Sequence, residues 1–445
     1  MRKLTEARAI AALGAPLVIN NLVQVGMQVT DTLMAGQLSA GDLAAVAVGG
    51  AVWMPLWIFG LGVLMALTPT VAQLHGAGEN LAIGHWVRQG LWLAVFITVP
   101  IGFVILNAPA IMRAFSVDPS IIPLAGAYVR AMATGLLPMY LYLVLRFFSE
   151  GTSETRPMMY IALVALPLNV LGNWLFMYGP GFFPALGAVG AGVSSAIVMW
   201  AMLGMMLYNV RRRRYRPFEP FARFEWPQWS PIAALLWLGI PIGVTIFMEG
   251  SMFGAAALLM GRLGTDIVAG HQIAVNFASV MFMIPMGLSF AISVRVGQQV
   301  GRGNLGAARE SGMIGIGLCA AIMAGSAIGM LLFREVIAAA YTQDAGVIAI
   351  AAGLISIAAI FQLSDGVQVA AAGVLRGFKD TRASMVLTTI AYWGVGFPLA
   401  YWLGIALGYG PKAVWLGLTA GLSTAAALLF WRFRTISRCS SGLNT

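Results

Sequence analysis

Apolar residues run on for twenty or more positions at a time in this chain, without the polar–apolar alternation of a strand, and short polar connectors separate the runs. Crossing a hydrocarbon core takes about 20 residues of helix, and only helices or closed barrels satisfy their backbone polar groups there. Six runs fall at residues 10–34, 43–73, 87–112, 121–148, 157–178 and 189–209, and six more at 231–260, 267–296, 312–333, 347–374, 383–405 and 413–433. The pattern predicts an all-α membrane protein of twelve transmembrane helices, the first run being helix one rather than a cleaved signal.

The two sets of six resemble each other. Gly62, Ala66, Val71, Gln73, Gly76 and Gly78 recur as Gly287, Ala291, Val296, Gln298, Gly301 and Gly303. Gly151, Thr155, Arg156 and Met159 recur as Gly377, Thr381, Arg382 and Met385, and Ala188, Val189 and Gly192 recur as Ala413, Val414 and Gly417, always at an offset of 225 or 226. The paired Thr-Arg and the Gln sit in polar connectors, where chance matching is rarer than among abundant glycines. A repeat of six helices returns the chain to the side it started from, so the two copies must be parallel bundles with a central cavity expected at their interface. The expected division is a first bundle at 1–210, a basic linker at 211–230, and a second bundle with a short tail at 231–445.

Composition agrees with a lipid solvent: 60% of residues are hydrophobic and 9% charged, against roughly 25% charged in soluble domains. Of the 26 Lys and Arg, 21 fall on the side that holds the N-terminus. That places both termini in the cytoplasm of a bacterial-type inner membrane. The net charge of +10 and the run Arg211 to Arg214 with Arg216 invite a nucleic-acid reading. A cytoplasmic anchor accounts for them without one, so membrane lipids and not nucleic acid are the expected partners. Cys319 lies in an apolar run and Cys439 in the tail, which leaves no disulfide framework or zinc spacing and no cofactor. His75, His85 and His271 are scattered near helix ends, suggest interfacial positions and receive no role.

Thirteen of the sixteen acidic residues fall in connectors, at helix ends or near the termini; Asp31, Glu249 and Asp365 do not. An Asp at a helix centre in the bilayer costs about 2.5–3.5 kcal/mol on insertion scales, so such a residue faces an interior or a cavity. Arg130 is the one base within the runs away from their ends, and it lies where it can snorkel. One cation cannot neutralise three acids. At least two of them must take a proton, a metal cation or a cationic substrate. Asn169 and Asn173, one helical turn apart, face the same way; with Asp31 they form either an oxygen-lined cation site or ordinary helix-to-helix hydrogen bonds. Pro16 removes a backbone bond in helix one, as a hinge or as packing. The 25 Met and 11% aromatic residues suit a cavity for varied apolar cations, for which Phe253 and Gln272 are candidate lining residues.

At these residues the chain resembles the multidrug and toxic compound extrusion family, MATE. The stretch from Val29 to Gly36, the Pro16 to Asp31 spacing, Glu249-Gly, Asp365-Gly and the run from Leu375 to Arg382 carry the resemblance, and the Glu249 and Asp365 pair is similar to the NorM branch. The resemblance implies a monomeric antiporter that exports organic, often cationic, drugs in exchange for Na⁺ or H⁺ by alternating access. It implies an acid site at Asp31, Asn169 and Asn173, and a cation site at Glu249 and Asp365, where Na⁺ would be the metal bound. Some members carry a tyrosine where this chain has Phe361, one turn before Asp365, and a phenyl ring offers Na⁺ no oxygen. A flippase of lipid-linked or polysaccharide precursors, of related architecture, would need basic cavity residues for phosphates. A membrane enzyme would need a nucleophile or metal cluster, and no such constellation is visible.

Overall fold

The computed structural model describes residues 2–181 and 184–439. The tail after residue 439 lies outside the described residues. By contact the chain forms two units, one of Ile19–Gly243 and one of Met1–Val18 with Val244–Thr445.

The first of these holds most of α1 (Arg2–Leu38), then α2 (Ala40–Leu64), α3 (Leu67–Ala77), α4 (Asn80–Leu106), α5 (Ala108–Ala114), α6 (Ile122–Ala133), α7 (Leu136–Gly151), α8 (Arg156–Tyr178), α9 (Ala188–Val210) and the start of α10 (Trp229–Gly261). The second holds the first turns of α1, the rest of α10, then α11 (Thr265–Gly301), α12 (Leu305–Ala339), α13 (Ala345–Gly377), α14 (Thr381–Thr389), α15 (Phe397–Tyr401) and α16 (Pro411–Cys439). Two π-helical stretches, Ile390–Gly396 and Trp402–Ala406, flank α15.

Among the described residues eleven helices are long and apolar enough to cross a membrane, and α6 with α7, bent by 44°, makes a twelfth span. The expected twelve spans are there, with breaks that hydropathy did not register. The run at 43–73 divides into α2 and α3, the run at 87–112 passes into α5 at Asn107, and the run at 121–148 bends at Thr134 and Gly135.

The repeat is visible in local geometry. The helix ends at Gly78 and Gly303 both turn left-handed, at φ 80° and 71°. In the first, Gly78 donates to His75 O and Glu79 to Leu74 O; in the second, Gly303 donates to Val300 O and Asn304 to Gln299 O. The same closing pattern ends α7 and α13, where the left-handed residues are Ser153 and Lys379 at φ 66° and 61°. A side chain in that conformation is strained, and the two copies place it at equivalent positions. Gly151 and Gly377 also match in packing. A Cβ on Gly151 would lie 2.7 Å from Val71 Cβ, and one on Gly377 would lie 2.8 Å from Val296 Cβ.

The basic segment after α9 is bound down rather than loose. Tyr215, in a short 3-10 turn (Arg213–Phe218), is buried and its hydroxyl meets Ser149 Oγ at 2.9 Å. From α4, Arg88 donates to Glu219 O at 2.7 Å and to Glu225 Oε1 at 2.8 Å. Trp92 Nε1 donates to Glu225 O, Gln89 Nε2 to Trp226 O, and Gln228 N to Gln89 Oε1. His85 Nδ1 lies 2.6 Å from Glu225 Oε2, so this histidine has a definite partner where the sequence suggested none. The first turns of α1 are held within their own unit by Glu6, which takes Arg295 at 2.6 Å and Ser311 Oγ at 2.7 Å, while Ile10 enters an apolar cluster with Leu288, Ile292, Val374 and Phe433.

Candidate functional site

In the 19–243 unit α1 and α8 bring Asp31 to the two asparagines. Asn169 Nδ2 donates to Asp31 Oδ1 at 3.0 Å and Asn173 Nδ2 donates to the same oxygen at 2.6 Å. Ser195, on α9, shares the cavity wall with Asp31 and acts on its carboxylate. The amides therefore face Asp31 as donors, which satisfies the negative charge. Their own oxygens, Asn169 Oδ1 and Asn173 Oδ1, are buried without a hydrogen-bond partner. A one-turn spacing on α8 produces this arrangement, since residues four apart on a helix project together.

Asp31 opens onto a cavity of about 320 Å³. Its wall is soft and aromatic: Met27, Met54, Met132, Met139, Met199 and Met202, with Trp53, Trp57 and Tyr128. Gln24, Gln28, Thr32, Asn169 and Ser195 supply the polar positions. The lining contains one ionisable acid and no Lys or Arg. Flexible thioethers adapt to different shapes and ring faces attract cations, so the chamber suits apolar cations and disfavours phosphates. Phe253 and Gln272 do not line it.

In the other unit Glu249 on α10 and Asp365 on α13 interact electrostatically. Asp365 is 4% exposed and its Oδ1 has no hydrogen-bond partner, while Glu249 is partly buried. Asp31, Glu249 and Asp365 have no ion pair among the described residues. Arg130 is exposed near the end of α6. Two carboxylates in an apolar interior, with no base beside them among the described residues, carry charge that only a proton or a cation would offset.

Phe361 is packed edge-on between Phe253 and Trp415, with ring centroids 5.8 Å from each, and belongs to the apolar core. Phe253 is partly buried against that core, and Gln272 is exposed. His271 is not an interfacial residue: it is 1% exposed and Trp415 Nε1 donates to its Nδ1 at 3.1 Å. An indole only donates, so Nδ1 carries the lone pair and the ring is the neutral Nε2–H form.

Two residues at these sites escaped the sequence reading. Ser195 lies in an unremarkable Ser-Ser pair on an apolar helix. Tyr392 is completely buried with an unpartnered hydroxyl, and the charges of Glu249 and Asp365 both act on it. Pro398, six residues on, is the one sequence signal that the helix around Tyr392 is irregular.

A family model described as MatE matches residues 16–175 and again 241–402, so the two matches begin at the repeat offset. The chain is 43% identical over 442 residues to "Multidrug resistance protein MdtK" of Yersinia enterocolitica, covering 98% of this chain and 96% of that one. Its fold is that of a structure described as MATE in the straight conformation, at a TM-score of 0.91, 19% identity, and 98% and 97% coverage of the two chains. It is also that of an outward-facing multidrug resistance MATE family transporter, at a TM-score of 0.89, 19% identity and the same coverage. With two family matches at the repeat spacing and a full-length relative, this multi-pass membrane chain belongs to the MatE family, a family of transporters and not of enzymes.

Proposed function

We propose that the protein is a cation-coupled antiporter of the bacterial inner membrane, with both termini cytoplasmic, that exports organic and often cationic compounds by alternating access. The observation that carries the reading is a set of three acids on membrane helices with no base paired to any of them among the described residues. Asp31 is the acid of the chamber lined by methionines and aromatic rings. Glu249 and Asp365 form a separate pair where Na⁺ or H⁺ would bind as transported cargo. The name of the Yersinia relative, a multidrug resistance protein, supports the same direction of transport.

In this mechanism the functional halves are the bundles at 1–210 and 231–445, joined by the basic linker at 211–230. Cation binding at Glu249 and Asp365 favours one access state, and substrate binding near Asp31 favours the other. Exchange follows when each ligand binds the two states unequally. One copy of the chain suffices. Lipids are the surrounding partners and no resident cofactor is needed.

The test is efflux of a fluorescent organic cation from sealed vesicles, first under a Na⁺ gradient alone and then under a pH gradient alone. Uphill movement with either gradient supports the antiporter and identifies the ion. Movement only down the substrate's own gradient with both would overturn it.

A further inference from the structure

A hydroxyl buried in an apolar interior without a partner is unfavourable, and Tyr392 carries one within electrostatic reach of two carboxylates. Its side chain is fully buried, its oxygen is unpartnered, and so is Asp365 Oδ1. The local backbone puts it there. Tyr392 lies in the π-helical stretch Ile390–Gly396, where Phe397 N donates five residues back to Tyr392 O. Pro398 has no N–H to give the preceding turn, so the helix widens ahead of it. A π turn inserts a residue and re-aims the side chains around it, which is why such turns concentrate at functional positions.

The stretch is fastened beside Glu249. Trp393 Nε1 donates to Met248 O at 3.3 Å, one residue before Glu249, and a Cβ on Gly396 would lie 3.5 Å from Met252 Sδ. Tyr392 thus belongs to an element held against the turn of α10 that carries Glu249, and Asp365 acts on it from α13. Phe361 has its ring locked against Phe253 and Trp415 and brings no oxygen.

We propose that the Tyr392 hydroxyl is a ligand of the coupling cation, adding a neutral oxygen to the Glu249 and Asp365 carboxylates and so selecting Na⁺ over H⁺. This rests on the cation-coupling reading of that pair. A proton needs one basic atom, whereas a hard metal cation stripped of water needs several oxygens. The phenol has lone pairs to offer and remains neutral while it does.

The test uses the full-length protein in proteoliposomes, with Na⁺ replaced stepwise by choline. Tyr392→Phe keeps the ring and removes one oxygen. It should melt like wild type in choline and raise the Na⁺ concentration for half-maximal efflux about tenfold. A Na⁺ response lost in Asp365→Asn but unchanged in Tyr392→Phe overturns the ligand role and leaves the carboxylate site standing. A wild type that ignores Na⁺ overturns both. If Tyr392→Phe melts early in choline, infrared difference spectra of the wild type decide the matter. Na⁺ should shift one tyrosine C–O band, and the shift should vanish in Asp365→Asn; no shift in the wild type overturns the proposal.

Discussion

Asn173 Nδ2 donates to Asp31 Oδ1 at 2.6 Å, the shorter of the two amide bonds that this oxygen receives from α8. A hydrogen bond to a charged group contributes about 1.5–3 kcal/mol. Asn173→Leu should therefore slow efflux of a fluorescent cation by about tenfold or more if Asp31 must be charged to hold substrate. Asn169→Leu, at 3.0 Å, should do less. Initial rates in vesicles at matched protein content measure both, and wild-type rates in Asn173→Leu would remove it from the site.

Neutral replacements separate the two acid sites. Asp365→Asn or Glu249→Gln should abolish gradient-driven efflux while leaving the melting temperature in detergent at or above that of wild type, because an uncompensated charge leaves the apolar interior. Asp31→Asn should weaken binding of cationic substrates and spare the Na⁺-induced thermal shift. Full transport by Asp365→Asn would remove the pair from the coupling step.

The linker clamp should be sensitive to acid. The Arg88 guanidinium, with His85 and Arg223 beside it, holds the Glu225 carboxyl down from 4.5 to about 2, against the opposing pull of burial. The group is more acidic folded than unfolded, so its stabilisation is complete above the unfolded value and is lost as pH falls through about 2. Between neutral pH and 5 the clamp should hold. Arg88→Ala should free residues 219–226 at pH 7, seen as new cleavage in limited proteolysis; an uncut linker would show that Tyr215 and the bonds from His85, Gln89 and Trp92 retain it without Arg88.

Matched glycines predict matched penalties. Gly377→Val would drive a side chain into Val296 and Ser293 O, and Gly151→Val into Val71 and Thr68 O. Overpacking of this kind costs about 1–3 kcal/mol. Both variants should melt earlier than wild type, and Gly377→Val should lose about as much as Gly151→Val. A large inequality would mean that the two copies no longer pack alike.

The single hydrogen bond between Trp415 and His271 offers a local test of the core under Phe361. Trp415→Phe removes the indole donor and strands His271 Nδ1 among apolar neighbours, at a cost of about 1–3 kcal/mol. Chemical denaturation of reconstituted protein should register that loss, and Trp415→Phe with His271→Leu should recover most of it. No recovery would assign the loss to ring packing instead.

Twelve spans, the duplication and the three isolated acids follow from sequence alone, because lipid imposes a length and a polarity on every helix that crosses it. Asn169 and Asn173 were legible with Asp31 since helical spacing fixes which neighbours share a face. What sequence could not give is whatever depends on where one helix touches another. The donor direction of the two amides, the Arg88 clamp on Glu225, the burial of His271 under Trp415 and the orphan hydroxyl of Tyr392 all arise from pairs distant in the chain. A tyrosine amid Trp and Phe reads as an interfacial anchor, and a π turn leaves no hydrophobic period of its own. Only packing, by excluding water and leaving some polar atoms partnered and others bare, decided which of these residues face the carboxylates.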